Sequence, residues 1–328
     1  MDSDLIYSSL LGFIIGDALG VPFEFEDRET RKSKPVTTLE SGGYWEQPIG
    51  TWSDDTSMLL CTIDSLSRGY NISDLGFQFY NWVYKKKFTP HGKVFDCGIQ
   101  TRESLKEIYK SVQINHPITP LHRIDDENKN GNGSLMRILP FGFYLVNHPI
   151  EQRWDIIDQV SSLTHSHIRS VIGCFIYSEL VIELISGREK LDSYTKVKER
   201  VNDFLIDKVP SKELEIYRNI LSSDITQLEE PSIKSTPYVV YTLESVLWSF
   251  LRGGNYKESV LFGINLGGDT DTVGSLVGGL SGLLYGIKDI PCEWIDLLIK
   301  KDDILDLIDK FTKSLPFELK KNSFMQNN

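Results

Sequence analysis

An all-α fold is what this sequence predicts, and three observations carry the prediction. Apolar residues recur every three or four positions along most of the chain, the period of a helix with one buried face. Convincing strand patterns are few. Two apolar stretches, residues 5–19 and 273–287, carry glycines four apart, Gly12, Gly16 and Gly20 on or beside the first and Gly274, Gly278 and Gly282 on the second.

The first helix buries Leu5, Leu10, Leu11 and Ile14. Glycine costs a helix about 1 kcal/mol against alanine. A row of it on one face therefore marks a close helix–helix approach, as in membrane bundles. The two glycine-bearing helices are expected to pack on each other in the core. The start of the chain is apolar enough to resemble a leader, but Asp2 and Asp4 stand where basic residues belong and Asp17 interrupts the run. Residues 273–287 are too short for a bilayer and contain Ser275 and Ser281.

Pro22 ends or bends the first helix and leaves Glu24 near its exit. Residues 28–50 are polar and turn-rich, with Gly42-Gly43, and read as a long surface loop. Trp52-Ser53-Asp54-Asp55-Thr56 then precedes a helix with Leu59, Leu60, Ile63 and Leu66 on its inner face. Residues 71–84 are aromatic-rich and helical. Asp96 and Gly98 precede a helix over residues 101–109. Asn130-Gly-Asn-Gly-Ser-Leu-Met-Arg137 is a loop of small residues ahead of a helix. It is able to cradle a pyrophosphate on backbone N–H groups, or to be a plain Asn-Gly turn. No Gly-Lys-Ser/Thr follows, so it is not a Walker loop.

Leu163-Thr-His-Ser-His167 opens a long apolar helix through Ile168, Val171, Ile172, Phe175 and Leu180. His165 and His167 are not spaced to share a helix face, which argues against a zinc pair. Residues 187–235 are charged and irregular, with peripheral helical pieces at 201–206 and 214–221. Residues 238–251 and 256–266 are two core helices that deliver Asn265 into Asn265-Leu-Gly-Gly-Asp-Thr-Asp-Thr-Val273. An outer helix pair over 294–311 follows. No internal repeat is evident.

Two stretches share one chemistry. Asp54 and Asp55, and Asp269 and Asp271, each sit among hydroxyls at the mouth of an apolar helix. Each suits a well-capped helix start, since Asp, Ser and Thr cap helices and the dipole favours carboxylates there. If the mouths meet, four crowded carboxylates raise each other's pKa values, and a bound divalent cation removes that penalty. The candidate ligands are all oxygens, which points to Mg²⁺ or Mn²⁺ rather than zinc.

The pairing of Ser53-Asp54-Asp55-Thr56 with Gly267-Gly-Asp-Thr-Asp-Thr272 resembles the ADP-ribosylglycohydrolase family. That resemblance, from about residue 5 to 286, implies a compact single-domain orthogonal helical bundle and a hydrolase that removes ADP-ribose from modified proteins. It implies two Mg²⁺ or Mn²⁺ ions held by Glu24, Ser53, Asp54, Asp55, Asp269, Asp271 and Thr272, with Asp17 in support. Glu24 fits the family's mobile glutamate by its spacing from Asp17. Ser53 stands where the family often has threonine, which keeps the hydroxyl oxygen. Asp96, Gly98 and Thr101 match an Asp-x-Gly-x-x-Thr segment whose aspartate faces the scissile ribose. Asp96 is thus the implied catalytic acid or base, with Glu24 and Asp55 beside it, and the linkage implied is to arginine. Gly131, Asn132, Gly133, Met136 and Arg137 match the element near the diphosphate, which the resemblance places on Gly131 to Ser134, and Thr164 and His165 match a nucleotide-contacting pair. The alternatives are serine-linked ADP-ribose, O-acetyl-ADP-ribose or ADP-ribosylated nucleic acid as substrate, or a non-enzymatic relative that binds ADP-ribose.

A chain of 328 residues can bury a large core without staples. One domain over residues 1–328 is expected, with 187–235 as a peripheral insertion. A net charge of −11 argues against a general binder of nucleic acid or anionic membrane. Cys61, Cys97, Cys174 and Cys292 lack metal or redox spacing and read as free thiols in a reducing cytoplasm. The expected partners are an ADP-ribosylated protein as substrate and ADP-ribose as product, met by a monomer.

Overall fold

A computed structural model of the protein describes residues 3–315. The fold is all-α: among the described residues there are sixteen α-helices, several short 3₁₀ turns and no strand. Asp2, one of the two acids weighed against a leader, lies outside the described residues. Isolated backbone bridges join Gly42 to Gln47 and Gly131 to Tyr238.

The core is organised by two helices far apart in sequence, Ser3–Gly20 and Thr270–Tyr285. They lie antiparallel, with the glycine rows face to face. A Cβ at Gly12 would stand 2.6 Å from the Gly278 carbonyl oxygen, and one at Gly16 only 2.0 Å from that of Gly274. At Gly20 it would meet the Asp271 backbone at 2.4 Å. No side chain fits in that seam, so the helices touch along their backbones. Hydroxyls lock the seam from its edges: Ser9 Oγ donates to the Gly279 carbonyl (2.8 Å), Tyr256 Oη to Gly12 (2.7 Å) and Thr270 Oγ1 to Gly20 (2.7 Å). Ser3–Phe23 is long and apolar enough to cross a membrane, yet 89% of its apolar window is buried inside the fold. A helix enclosed on every side needs no polar stripe.

The remaining helices wrap this pair. Val239–Arg252 and Tyr256–Ile264 pack on Thr270–Tyr285, and Lys301–Ser314 packs on both Ser3–Gly20 and Asp54–Leu66. Ile168–Ile185 holds Leu139–Tyr144, Ile150–Ser161 and Lys190–Leu205. Two readings need correction. Residues 28–50 are not all loop: Arg28–Ser33 is a helix capped by Asp27, whose Oδ1 accepts from Thr30 N at 2.7 Å. Six residues are too few to display a period. The helix after Asp96 runs Ile99–Gln113, longer than its apolar positions mark out.

One buried acid sets the angle between the core and the site. Asp17, on Ser3–Gly20, is fully buried and accepts from Ser53 N (3.0 Å), Thr56 N (2.9 Å) and Thr56 Oγ1 (2.5 Å). These are orphan donors at the start of Asp54–Leu66. Asp17 thereby pins the mouth of that helix against the glycine seam.

Candidate active site

The two acidic helix mouths meet. Thr272 Oγ1 donates to Asp55 Oδ2 at 3.3 Å, and Ser275 Oγ to Asp55 Oδ1 at 2.9 Å. Ser53 caps Asp54–Leu66 by accepting from Asp55 N at 3.2 Å. Asp271 Oδ1 accepts from Thr272 N at 2.8 Å, while its Oδ2 is buried with no partner. Upstream, Gly267 and Gly268 sit at φ of 71° and 75°, a region open mainly to glycine. This lets Gly268 exchange hydrogen bonds with the turn after Glu24: Phe25 N to Gly268 O (2.8 Å) and Gly268 N to Glu26 O (2.7 Å).

That exchange brings Glu24 over the helix mouths. Its Oε2 accepts from the indole N–H of Trp45. Asp96 arrives from another loop, with φ of 46°. Carboxylate oxygens of Glu24, Asp96 and Asp271 all lie within 4.8 Å of one another. Of the six acids only Asp96 is half-buried; Glu24, Asp54, Asp55, Asp269 and Asp271 are buried.

Burial is the first cause that lifts the carboxyls of Glu24, Asp54, Asp55, Asp96 and Asp269, and mutual repulsion is the second. Glu24 is pushed up to about 12 and Asp96 to about 9, with Asp271 the strongest repelling neighbour of each. Burial, then Asp96, lifts Asp54 well above the usual carboxylate range; burial, then Asp271, does the same for Asp55 and Asp269. Asp17, just below, rises to about 7 for the same two reasons. The charges felt by Glu24, Asp54, Asp55, Asp96 and Asp269 are chiefly those of other acids. An all-oxygen donor set with this much uncompensated acidity, and an orphaned Asp271 oxygen in its middle, fits a hard divalent cation.

Beside the acids lies the glycine loop. A Cβ at Gly133 would stand 2.7 Å from His165 Cε1 and 2.8 Å from Thr101 Oγ1, so the loop lies directly on the imidazole. Asn132 turns toward the acids: its Nδ2 donates to Asp269 Oδ2 (2.5 Å) and to Thr242 Oγ1 (3.0 Å). Ser134 turns the other way, its buried hydroxyl against Ser161 Oγ (3.0 Å) and Cys174 Sγ (3.4 Å). Met136 is buried, its backbone N–H on the Asn132 carbonyl. Burial, then Arg137, holds His165 down at about 3, so its ring is neutral. His167 caps Ile168–Ile185, its Nδ1 accepting from Arg169 N at 3.2 Å.

Two cavities flank these groups. One of about 460 Å³ is lined by Trp45, Tyr84, Phe95, Asp96 and Arg102. The other, about 510 Å³, is lined by Gln100, Ser104, His122, Lys129, Thr164 and Ser166. Trp45 and Ser275 were not legible as site residues. Trp45 lies in an aperiodic loop, and Ser275 looks like any small residue of a glycine-rich helix.

The family model described as ADP-ribosylglycohydrolase matches residues 2–318. An ADP-ribosylarginine hydrolase, Tri1, of Serratia proteamaculans is 28% identical over 96% of this chain and 81% of its own. The ADP-ribosyl-[dinitrogen reductase] glycohydrolase of Rhodospirillum rubrum is 27% identical, over 91% of each chain. The ADP-ribosylhydrolase ARH3 of Xenopus tropicalis is 24% identical over 87% of this chain and 88% of its own. A solved structure titled as an ADP-ribosylglycohydrolase-related protein complex superposes with a TM-score of 0.77 at 26% identity, covering 95% of this chain and 98% of that one.

Proposed function

The chain belongs to the ADP-ribosylglycohydrolase family and is a hydrolase of that family, and from this premise we propose that it cleaves the N-glycosidic bond of ADP-ribosyl-arginine on modified proteins with the help of two divalent cations. The observation that carries the reading is the position of Asp96. It is the one acid of the cluster that is only partly buried, and a carboxylate oxygen of it lies within 4.8 Å of one from Glu24 and one from Asp271.

In this reading Glu24, Ser53, Asp54, Asp55, Asp269, Asp271 and Thr272 hold two Mg²⁺ or Mn²⁺ ions. Bound there, the ions would supply water activation and orientation of the ribose hydroxyls. Asp55 is oriented by Thr272 and Ser275, and Glu24 by the Trp45 indole. Asp96 handles the proton near the anomeric carbon and holds the departing guanidinium. A guanidine leaves poorly unless it leaves protonated, and an adjacent carboxylate suits that cation. The glycine loop, Gly131 to Ser134, offers backbone N–H groups to the diphosphate, with Asn132 and Met136 fixing its course and His165 beneath it. Two relatives named ADP-ribosylarginine hydrolase, each 28% identical, support the linkage. Four free cysteines support a reducing cytoplasm as the place of action.

The test is release of ADP-ribose from arginine-, serine- and cysteine-linked peptides, each with Mg²⁺ or with EDTA. Arginine is expected to be released fastest, and only with the metal. Faster release from serine overturns the linkage, and turnover undiminished after exhaustive chelation overturns the metal.

A further inference from the structure

We propose that Arg137 and Thr164 are positioning residues that fix His165 as its Nε2–H tautomer, so that a neutral donor faces the ligand of the glycine loop. This rests on the reading that the loop takes a diphosphate.

Guanidinium nitrogens only donate. Arg137 Nη2 lies 2.8 Å from Thr164 Oγ1, so the hydroxyl accepts there. Its single hydrogen is then free for His165 Nδ1, also 2.8 Å away. Nδ1 therefore accepts, and the ring proton resides on Nε2. That nitrogen is on the loop side: a Cβ at Gly131 would stand 3.3 Å from it, and one at Gly133 3.2 Å. The same guanidinium donates through Nη1 to the Gly133 carbonyl at 2.7 Å and through Nη2 to Val160 at 3.2 Å. Loop and ring are thus held by one group.

Nothing else accounts for that group's cost. Arg137 is fully buried, stacks 4.7 Å from the Phe79 ring centroid, and forms no salt bridge among the described residues. A cation buried without a counter-charge is expensive. A proton on His165 Nδ1 would leave the Thr164 hydroxyl hydrogen without an acceptor among its bonds to Arg137 and His165. The opposite tautomer would present a lone pair to an anion.

The tautomer is readable before any ligand is added. In protein labelled with ¹⁵N-histidine, whose six resonances are sorted with His165→Gln, two-bond ¹⁵N–¹H correlations are expected to show Nε2 protonated and Nδ1 bare. Thr164→Ser should keep that pattern, and Thr164→Val should mix in the Nδ1–H form. ADP-ribose affinity should fall roughly tenfold in Thr164→Val and in His165→Phe, which has no donor, and stay near wild type in Thr164→Ser. An Nδ1–H ring in the wild type, or a tautomer indifferent to Thr164→Val, overturns the proposal. If the tautomer behaves as expected but His165→Phe binds ADP-ribose normally, it is the diphosphate reading of the loop that fails. Should Arg137→Met not fold, the two Thr164 variants decide alone.

Discussion

Asn132 Nδ2 donates to Asp269 Oδ2 at 2.5 Å, which ties the glycine loop directly to the acidic cluster across 137 residues of sequence. The Asn132 side chain, expected among the ligand contacts of the loop, is hydrogen-bonded to an acid in this structure. Partners of this kind are typically worth about 10–100-fold in metal affinity. Asn132→Ala should therefore weaken Mn²⁺ binding by roughly that factor in calorimetric titration, with helical circular dichroism unchanged. Unaltered Mn²⁺ affinity would detach the loop from the metal site.

Two aspartates should part company on stability. Asp17 satisfies three buried donors of the Ser53–Thr56 turn. Asp17→Ala leaves them bare, at roughly 1–3 kcal/mol for each. Asp269→Asn, in contrast, removes one charge from a repelling cluster. Melted in EDTA, the first variant should fall well below wild type and the second should match or exceed it. An Asp269→Asn collapse would make that residue a structural cap.

The acids also set the sign of the pH response. Asp17, Glu24 and Asp96 have folded pKa values raised to about 7, 12 and 9, and Asp54, Asp55 and Asp269 are raised as well. The native state then binds more protons than the unfolded one. Stability is fully present below the unfolded carboxylate range and is lost as pH rises through about 7 and 9. The metal-free protein should melt lower at pH 8 than at pH 5, and saturating Mg²⁺ should flatten or reverse that slope. A metal-free protein steadier at pH 8 would contradict the crowding.

Asp96→Asn is the clean test of the proposed proton-transfer role, because the backbone there has a positive φ that asparagine tolerates better than alanine. ADP-ribose affinity should survive while kcat falls by orders of magnitude, the pattern of a group acting mainly in the transition state. Equal losses in both would assign Asp96 to binding.

Helix mouths and the glycine seam were legible because each repeats a short pattern. Ser53-Asp54-Asp55 and Asp269-Thr-Asp271 announce themselves as acids before an apolar period, and Gly12, Gly16 and Gly20 as a spacing of four. Contacts between segments with no such pattern were not legible. Trp45 reaches Glu24 from a loop without periodicity, and Asp17 looks like an interruption of its helix until Ser53 and Thr56 are seen above it. Ser134 belongs to the loop expected to hold a diphosphate, yet its hydroxyl faces Ser161, a direction that depends on packing and not on spacing.

The antiparallel glycine seam has a consequence for synthesis. Ser3–Gly20 leaves the ribosome first, but its partner, Thr270–Tyr285, follows some 250 residues later. At about 5–20 residues per second, this apolar helix waits roughly 10–50 s for the helix whose glycines meet its own. Until then Asp17 has a helix mouth to pin but no seam to pin it to, and the acids contributed by residues 269 and 271 do not exist. Any product that stops short of residue 270 is left with a bare, membrane-length apolar helix.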